Sequence, residues 1–265
     1  MMDINFFKTL LLAFLQSMTE FLPVSSSAHL VLSQSFGWTD QGMFSDIALH
    51  AGTLLAVLLY FSKDVHGLIK TFLGSGDAYE KRLFGNLLMA TIPAIIGGYI
   101  GIEVISRLRS PIIIAGTSII FGILLWISDK MTYTSTDLKT MTKWDALCIG
   151  LAQLLSLVPG VSRSGITITC CRALGFSRSD STRFAMLLSI PTISASALYV
   201  LWQTAVHNIW REVFTMELLL GTLLSSIFGL IIIRFLMNWV KKSSFAVFAV
   251  YRVALGLFII YYFLF

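Results

Sequence analysis

Charge is what this chain has least of. Asp, Glu, Lys and Arg make up only 12% of its 265 residues, hydrophobic residues make up 56%, and the mean hydropathy is +0.82. A soluble domain carries about 25% charged residues, so a wholly water-facing surface is excluded and much of the exterior faces lipid. Regular alternation of apolar and polar residues is also missing. The apolar runs are continuous, which excludes a spanning β-barrel. Lipid offers backbone N–H and C=O groups no partner, so helices remain. Cysteine is scarce: Cys148, Cys170 and Cys171 are an odd set without metal-ligand spacing, read as small apolar fillers rather than a disulfide framework. The net charge of +5 is no nucleic-acid footprint, because the basic residues sit in short loops between apolar runs, where they act as orientation signals. The apolar stretch at the start has only Lys8 as a basic residue and no small-residue cleavage site after it, so no cleaved signal peptide is expected.

What is present is a set of long apolar stretches. Six read as full spans, at about 44–61, 87–104, 111–127, 184–202, 216–236 and 245–265. Two others, 5–36 and 144–175, are each interrupted, by Pro23 in FLPVSSSAHL and by Pro159-Gly160 in LVPGVSRSG. Proline removes a donor and disfavours helical geometry in the residue before it, and a following serine is a good N-cap. Each interrupted stretch therefore reads as helix, polar turn, helix, most simply a re-entrant hairpin, with one long kinked span as the plainer reading. The fold expected is an all-α polytopic membrane protein with six spanning helices and two re-entrant helical hairpins.

The two interrupted stretches resemble each other. A constant offset of 137 positions aligns Gln16 with Gln153, Val24 with Val161, Ser25 with Ser162 and Ser27 with Ser164. LLMATIPAIIGG at 87–98 likewise resembles LLLGTLLSSIFG at 218–229. One hairpin and three spans per unit force the second unit to be upside down. The single membrane domain 1–265 is thus expected to hold inverted repeats at 1–130 and 144–265, with function at their interface. Under this topology Lys63, Lys70, Lys81, Arg82, Lys130, Lys139, Lys143, Arg178, Arg183, Lys241 and Lys242 share one face, and Lys8, Arg107, Arg109 and Arg211 the other. The richer face is cytoplasmic, both termini lie outside, and the hairpin tips meet within the bilayer.

Those tips concentrate the chemistry. Gln16, Glu20, Ser25, Ser26, Ser27 and His29 fall in the first, and Ser162, Arg163, Ser164 and Thr167 in the second. Gln16 and Glu20, four apart, share a helix face. Ionisable groups inside a membrane are costly and face a partner or a wet cavity. Two helix N-termini and a planar guanidinium around one space suit a phosphate group. A hydroxyl such as Ser26 could attack phosphorus if His29 takes its proton, with Glu20 orienting the histidine, holding a cation or acting as acid or base. Plainer readings stand beside these. Ser25 alone reads as a helix cap; His50, His66 and His207 read as structural; Glu103, Arg172, Arg234 and Arg252 read as pairing or snorkelling residues.

QSMTEFLPVSSSAHL at 16–30, PGVSRSGITIT at 159–169 and SFAVFAVYRVALG at 244–256 resemble the bacterial undecaprenyl-diphosphate phosphatase family, the bacitracin-resistance type. The resemblance covers essentially the whole chain. It implies removal of the terminal phosphate of a polyprenyl diphosphate lipid at the outer face of the bacterial cytoplasmic membrane, recycling the carrier for cell-wall synthesis. It implies Glu20, Ser26, His29 and Arg163 as catalytic residues, with Ser26 the nucleophile. Ser25, Ser27, Ser162, Arg163, Ser164 and Thr167 would bind phosphate. A divalent cation, magnesium or calcium, is implied, with Glu20 and Gln16 as candidate ligands. Gln16 stands where family members often carry glutamate, which weakens a two-carboxylate chelate. No nucleic-acid partner is expected, and a homodimer is compatible with the sequence. The rival reading is a prenyl-phosphate flippase using the repeats for alternating access; the hydroxyl, imidazole and carboxylate facing Arg163 favour an enzyme.

Overall fold

The structure, a computed structural model, describes residues 2–26, 28–29, 43–108, 110–131, 136–207 and 215–264. Apart from one isolated bridge between Thr136 and Phe176, all regular structure among these residues is helical. Helix α1 (Met2–Phe21) stops at a bend over Leu22–Ser25, after which Ser26, Ala28 and His29 are helical again. There follow α2 (Met43–Tyr60), α3 (Ser62–Phe72), α4 (Ala78–Arg107) and α5 (Pro111–Met131). The remainder is α6 (Lys143–Leu154), α7 (Arg163–Ala173), α8 (Arg178–His207), α9 (Met216–Trp239) and α10 (Ala246–Leu264). Ser27, Arg109 and Arg211 lie outside the described residues.

Among the described residues, five segments are long and apolar enough to cross a membrane: Ala78–Gly101, Pro111–Met131, Arg178–Val206, Met216–Trp239 and Ala246–Leu264. The stretch expected as a span at 44–61 differs. It is α2, which turns by 89° into α3, and the pair passes as a sixth span only when taken together. Helix α3 carries Lys63, Asp64, His66 and Lys70 yet exposes Ile69 and Phe72, the two-sided pattern of a helix lying at an interface. The stretches at 87–104 and 184–202 are the apolar parts of longer helices. Capping explains the extra turns: Asp77 accepts from the Glu80 N–H at 2.8 Å while Glu80 accepts from the Asp77 N–H at 2.8 Å, and Ser177 Oγ accepts from the Asp180 N–H at 3.0 Å.

Packing between helices in lipid gains little from apolar burial, so close approach through small residues matters more. Helix α9 packs on α1 and α2; α4 packs on α6 and α8; α5 packs on α10 and α7; α2 meets α8. Gly52 lets α2 press on α9: a Cβ there would stand 2.3 Å from the Thr222 carbonyl oxygen. Gly150 does the same for α6 on α4, where a Cβ would lie 2.7 Å from the Ala90 carbonyl oxygen. The largest buried cluster joins Phe21, Leu22 and Val24 of the first bend to Ile168, Phe184 and Leu187 of α7 and α8. At one end of the bundle Asp129 accepts from Arg172 Nε at 3.0 Å, Arg178 Nε at 2.7 Å and the Phe245 N–H at 3.0 Å. Arg172 is therefore a pairing residue, as expected, and Asp64 pairs with Arg183 at the same end.

Replacing Gly52 by leucine should lower the thermal unfolding midpoint, at a cost of about 1–3 kcal/mol from overpacking. Gly85→Ala, whose added Cβ meets nothing within 4 Å, should not. Scanning fluorimetry of detergent-solubilised protein reads the difference, and equal midpoints would contradict the α2–α9 contact.

Candidate active site

The second bend is built from its sequence one residue at a time. After α6 a single 3₁₀ turn, Leu155–Leu157, leads into Pro159 and Gly160. Gly160 has φ +93°, and a side chain there would also meet Thr117 Oγ1 at 2.0 Å. Ser162 follows with φ +67°, a left-handed value that costs a non-glycine residue about 1–3 kcal/mol. Neighbouring helices hold the bend in place. Thr117 Oγ1 of α5 donates to the Pro159 carbonyl at 2.7 Å, and Arg252 Nη2 of α10 donates to the Gly160 and Val161 carbonyls at 3.0 and 2.9 Å. Ser162 Oγ then caps α7 by accepting from the Gly165 N–H at 3.2 Å.

The first bend lies against this one. Ser164 Oγ donates to the Leu22 carbonyl at 3.1 Å, and Arg163 Nη2 donates to Glu20 Oε1 at 2.9 Å. Arg163 Nη1 donates to the Ala185 carbonyl of α8 at 3.1 Å, fixing the other prong of the fork. The side chains of Glu20 and Arg163 are 11% and 17% exposed, too buried for water to screen their attraction fully. The two bends thus bring the acidic and basic residues of the two tips into direct contact.

Gln16 and His50 complete the carboxylate's surroundings. Gln16 Nε2 donates to Glu20 Oε2 at 3.3 Å and meets His50 Nε2 at 3.1 Å. His50 Nδ1 donates to the Asp46 carbonyl at 2.7 Å, so in the neutral ring Nε2 is the acceptor for the glutamine amide. His50 Nε2 is also 3.5 Å from Glu20 Oε2. The structural reading of His50 is corrected: α2 delivers it to the site. An ionisable residue inside an apolar stretch is the signal that marks it.

His29 is engaged elsewhere than with Ser26. Its Nδ1 donates to the Ser25 carbonyl at 2.6 Å, and its Nε2 accepts from the Tyr251 hydroxyl at 2.6 Å, with the two rings nearly parallel at 14°. The sequence reads Ser25 alone as a cap, but among the described residues its buried Oγ has no hydrogen-bond partner. Thr167 Oγ1 and Arg252 Nη1 are also buried without one. Unmet polar groups are rare in folded proteins and mark a ligand, water or ion position; three of them fall at or beside these bends. Arg252 is fully buried on the second bend rather than snorkelling. Among the described residues no group of three His, Cys, Asp or Glu side chains could hold a metal. What exists is one carboxylate, Glu20, touching one amide, Gln16. A magnesium ion shared with substrate phosphates needs no more than one or two protein carboxylates.

The sequence profile of the family described as "Bacitracin resistance protein BacA" matches residues 9–258. Curated relatives are similar along nearly their full length. An "Undecaprenyl-diphosphatase" of Saccharophagus degradans is 44% identical over 253 residues, covering 92% of this chain and 93% of the relative. One of Alcanivorax borkumensis is 40% identical over 267 residues, covering 97% and 99%. One of Hahella chejuensis is 42% identical over 254 residues, covering 92% and 93%.

A double-mutant cycle tests the contact between the bends. Glu20→Gln and Arg163→Met should each destabilise by leaving a partner unpaired, and the double variant should be less destabilised than the two effects combined, with a coupling of about 1–3 kcal/mol. Additive losses would contradict the pair.

Proposed function

The chain belongs to the bacitracin resistance protein BacA family, and from that premise we infer that it is an integral membrane phosphatase, hydrolysing undecaprenyl diphosphate to undecaprenyl phosphate and inorganic phosphate. Full-length similarity to undecaprenyl-diphosphatases supports the reaction. The observation that carries it to named residues is the 2.9 Å contact between Glu20 and Arg163 across two bends 143 residues apart in sequence. Release of phosphate from undecaprenyl diphosphate by the purified protein is the deciding assay.

In this reading the diphosphate headgroup sits where the bends meet. Arg163 has five N–H donors; Glu20 and the Ala185 carbonyl hold the fork in place and leave donors for non-bridging phosphate oxygens. The α7 N-terminus and the buried Ser25 and Thr167 hydroxyls add further donors. The hydroxyls of Ser164 and Ser162, 3.3 Å apart, line the same turn, and the phosphate-binding role of Ser27 rests on its sequence motif alone. Ser26 Oγ attacks the terminal phosphorus, the bond to the bridging oxygen breaks, and undecaprenyl phosphate leaves. His29 Nε2, which the Nδ1 bond to Ser25 keeps as the basic nitrogen, takes the serine proton once Tyr251 yields its place. Water then cleaves the phosphoserine and releases inorganic phosphate. Glu20 and Gln16 would hold a divalent cation, whose role is to neutralise charge on the phosphates. Fixed charge and positioning carry most of phosphoryl transfer.

The finer architecture supports this placement. We read α1 with the helix after it, and α6 with α7, as the two re-entrant hairpins, and α2, α4, α5, α8, α9 and α10 as six spans, in inverted repeats at 1–130 and 144–265. Exchanging the halves carries the α1–α9 contact onto α6–α4 and the α2–α9 contact onto α8–α4, while α5–α10 and α2–α8 map onto themselves. The ties of Arg178 to Asp129, Arg183 to Asp64 and Arg82 to the Lys139 carbonyl gather the basic loops at one end. That end is cytoplasmic in our reading, with both termini and the site opening to the outer face of the inner membrane.

Arg163→Ala and Glu20→Ala should each lower phosphate release by at least about a hundredfold, while His207→Ala should not change it. His50→Gln, which still offers the Gln16 amide an acceptor, should retain more activity than His50→Ala. Near-full turnover by Ser26→Ala would move the attack to water, and wild-type protein without phosphate release would overturn the enzyme reading.

A further inference from the structure

Arg252 is the most completely buried cation described, with a relative exposure of 0%, and no carboxylate pairs with it among the described residues. Its Nε donates to the Ser118 carbonyl at 3.3 Å, its Nη2 to the Gly160 and Val161 carbonyls, and its Nη1 is buried with no partner. A buried charge without a counter-ion is expensive, and three carbonyls offset only part of that cost. The unmet nitrogen points to one place. A Cβ on Gly165 would stand 2.7 Å from Arg252 Nη1 and 3.2 Å from Ser162 Oγ. Gly165, having no side chain, therefore lets the guanidinium pack directly against the α7 N-terminus beside the capping hydroxyl of Ser162. The positive end of an eleven-residue helix dipole and a bare cation thus lie side by side, an arrangement that a nearby anion would offset.

We propose that Arg252 is the second cationic residue of the phosphate site, a positioning residue that acts through the second bend. It holds the Gly160 and Val161 carbonyls so that Ser162 keeps its left-handed backbone, and its unneutralised charge raises the affinity of the α7 N-terminus for a phosphate group. The terminal phosphate of the substrate and the inorganic phosphate released from it are both seated this way. The inference rests on the phosphatase reading for its ligand but assigns a residue which that reading does not use.

Thermal stability of the detergent-solubilised full chain, titrated with inorganic phosphate, tests the proposal alongside phosphate release. Wild-type protein should be stabilised progressively. Arg252→Gln, which retains two amide donors but no charge, should need about tenfold more phosphate for half the effect and show a raised KM. Arg252→Lys, which keeps the charge and loses the fork, should stay within about threefold of wild type. A purely structural brace predicts the reverse order, and Arg252→Gln with wild-type phosphate dependence would overturn the proposal. Should Arg252→Gln not fold, Gly165→Ala, whose Cβ would stand 2.7 Å from Nη1, displaces the guanidinium from the other side and should weaken phosphate stabilisation comparably; unchanged stabilisation there would equally overturn it. Wild-type turnover with Arg252-independent phosphate binding defeats this inference alone. Arg252-dependent phosphate binding without turnover supports it and defeats the phosphatase reading.

Discussion

The contact between Glu20 and Arg163 decides how the rest of the molecule is arranged. Each residue lies beside a helix break, and neither break could stay dry without partners for its backbone. The second is held by Thr117 from α5 and Arg252 from α10, and the first by the Ser164 bond to the Leu22 carbonyl. Irregular backbone within a membrane protein is tolerated only where protein or a cavity surrounds it. Meeting that demand draws α5, α7, α8 and α10 around one point. The close approaches at Gly52 and Gly150 then set the outer helices against this centre.

The two bends are related in sequence but differ in chemistry. Ser162 caps its helix, whereas its counterpart Ser25 leaves a buried hydroxyl unmet. The position after each serine is Ser26 in one bend and Arg163 in the other, a candidate nucleophile and a fixed cation. Three further donors, on Ser25, Thr167 and Arg252, are buried without partners at or beside the same place. An anion with many acceptor oxygens resolves that imbalance, and a diphosphate headgroup has the required form. The apolar surroundings suit its lipid tail, since each buried CH₂ favours the bilayer by about 0.8 kcal/mol.

Much of this is legible in the sequence itself. Apolar runs marked the long helices because a spanning segment writes its length directly into composition, and Pro23 and Pro159-Gly160 marked the breaks because few residues end a helix so firmly. Glu20 and Arg163 stood out as charges where charge is costly. What escaped depended on distance across the fold. His50 lies 34 residues from Gln16, and nothing local shows that their side chains meet. Tyr251 and Arg252 sit in a segment that the family resemblance marks, but only the packing of α10 on α5 delivers them to the two bends. The 89° turn between α2 and α3 was hidden because the apolar run continues up to the bend at Phe61.

Convergence of the bends can be measured without reference to activity. Leu22→Cys and Ser164→Cys, placed together in a chain whose three native cysteines are replaced, should be joined by a short bifunctional methanethiosulfonate in membrane vesicles, as an intramolecular link seen by mobility shift. If each cysteine reacts singly with a monofunctional thiol reagent but the pair never links, the two bends do not meet and the site described does not exist.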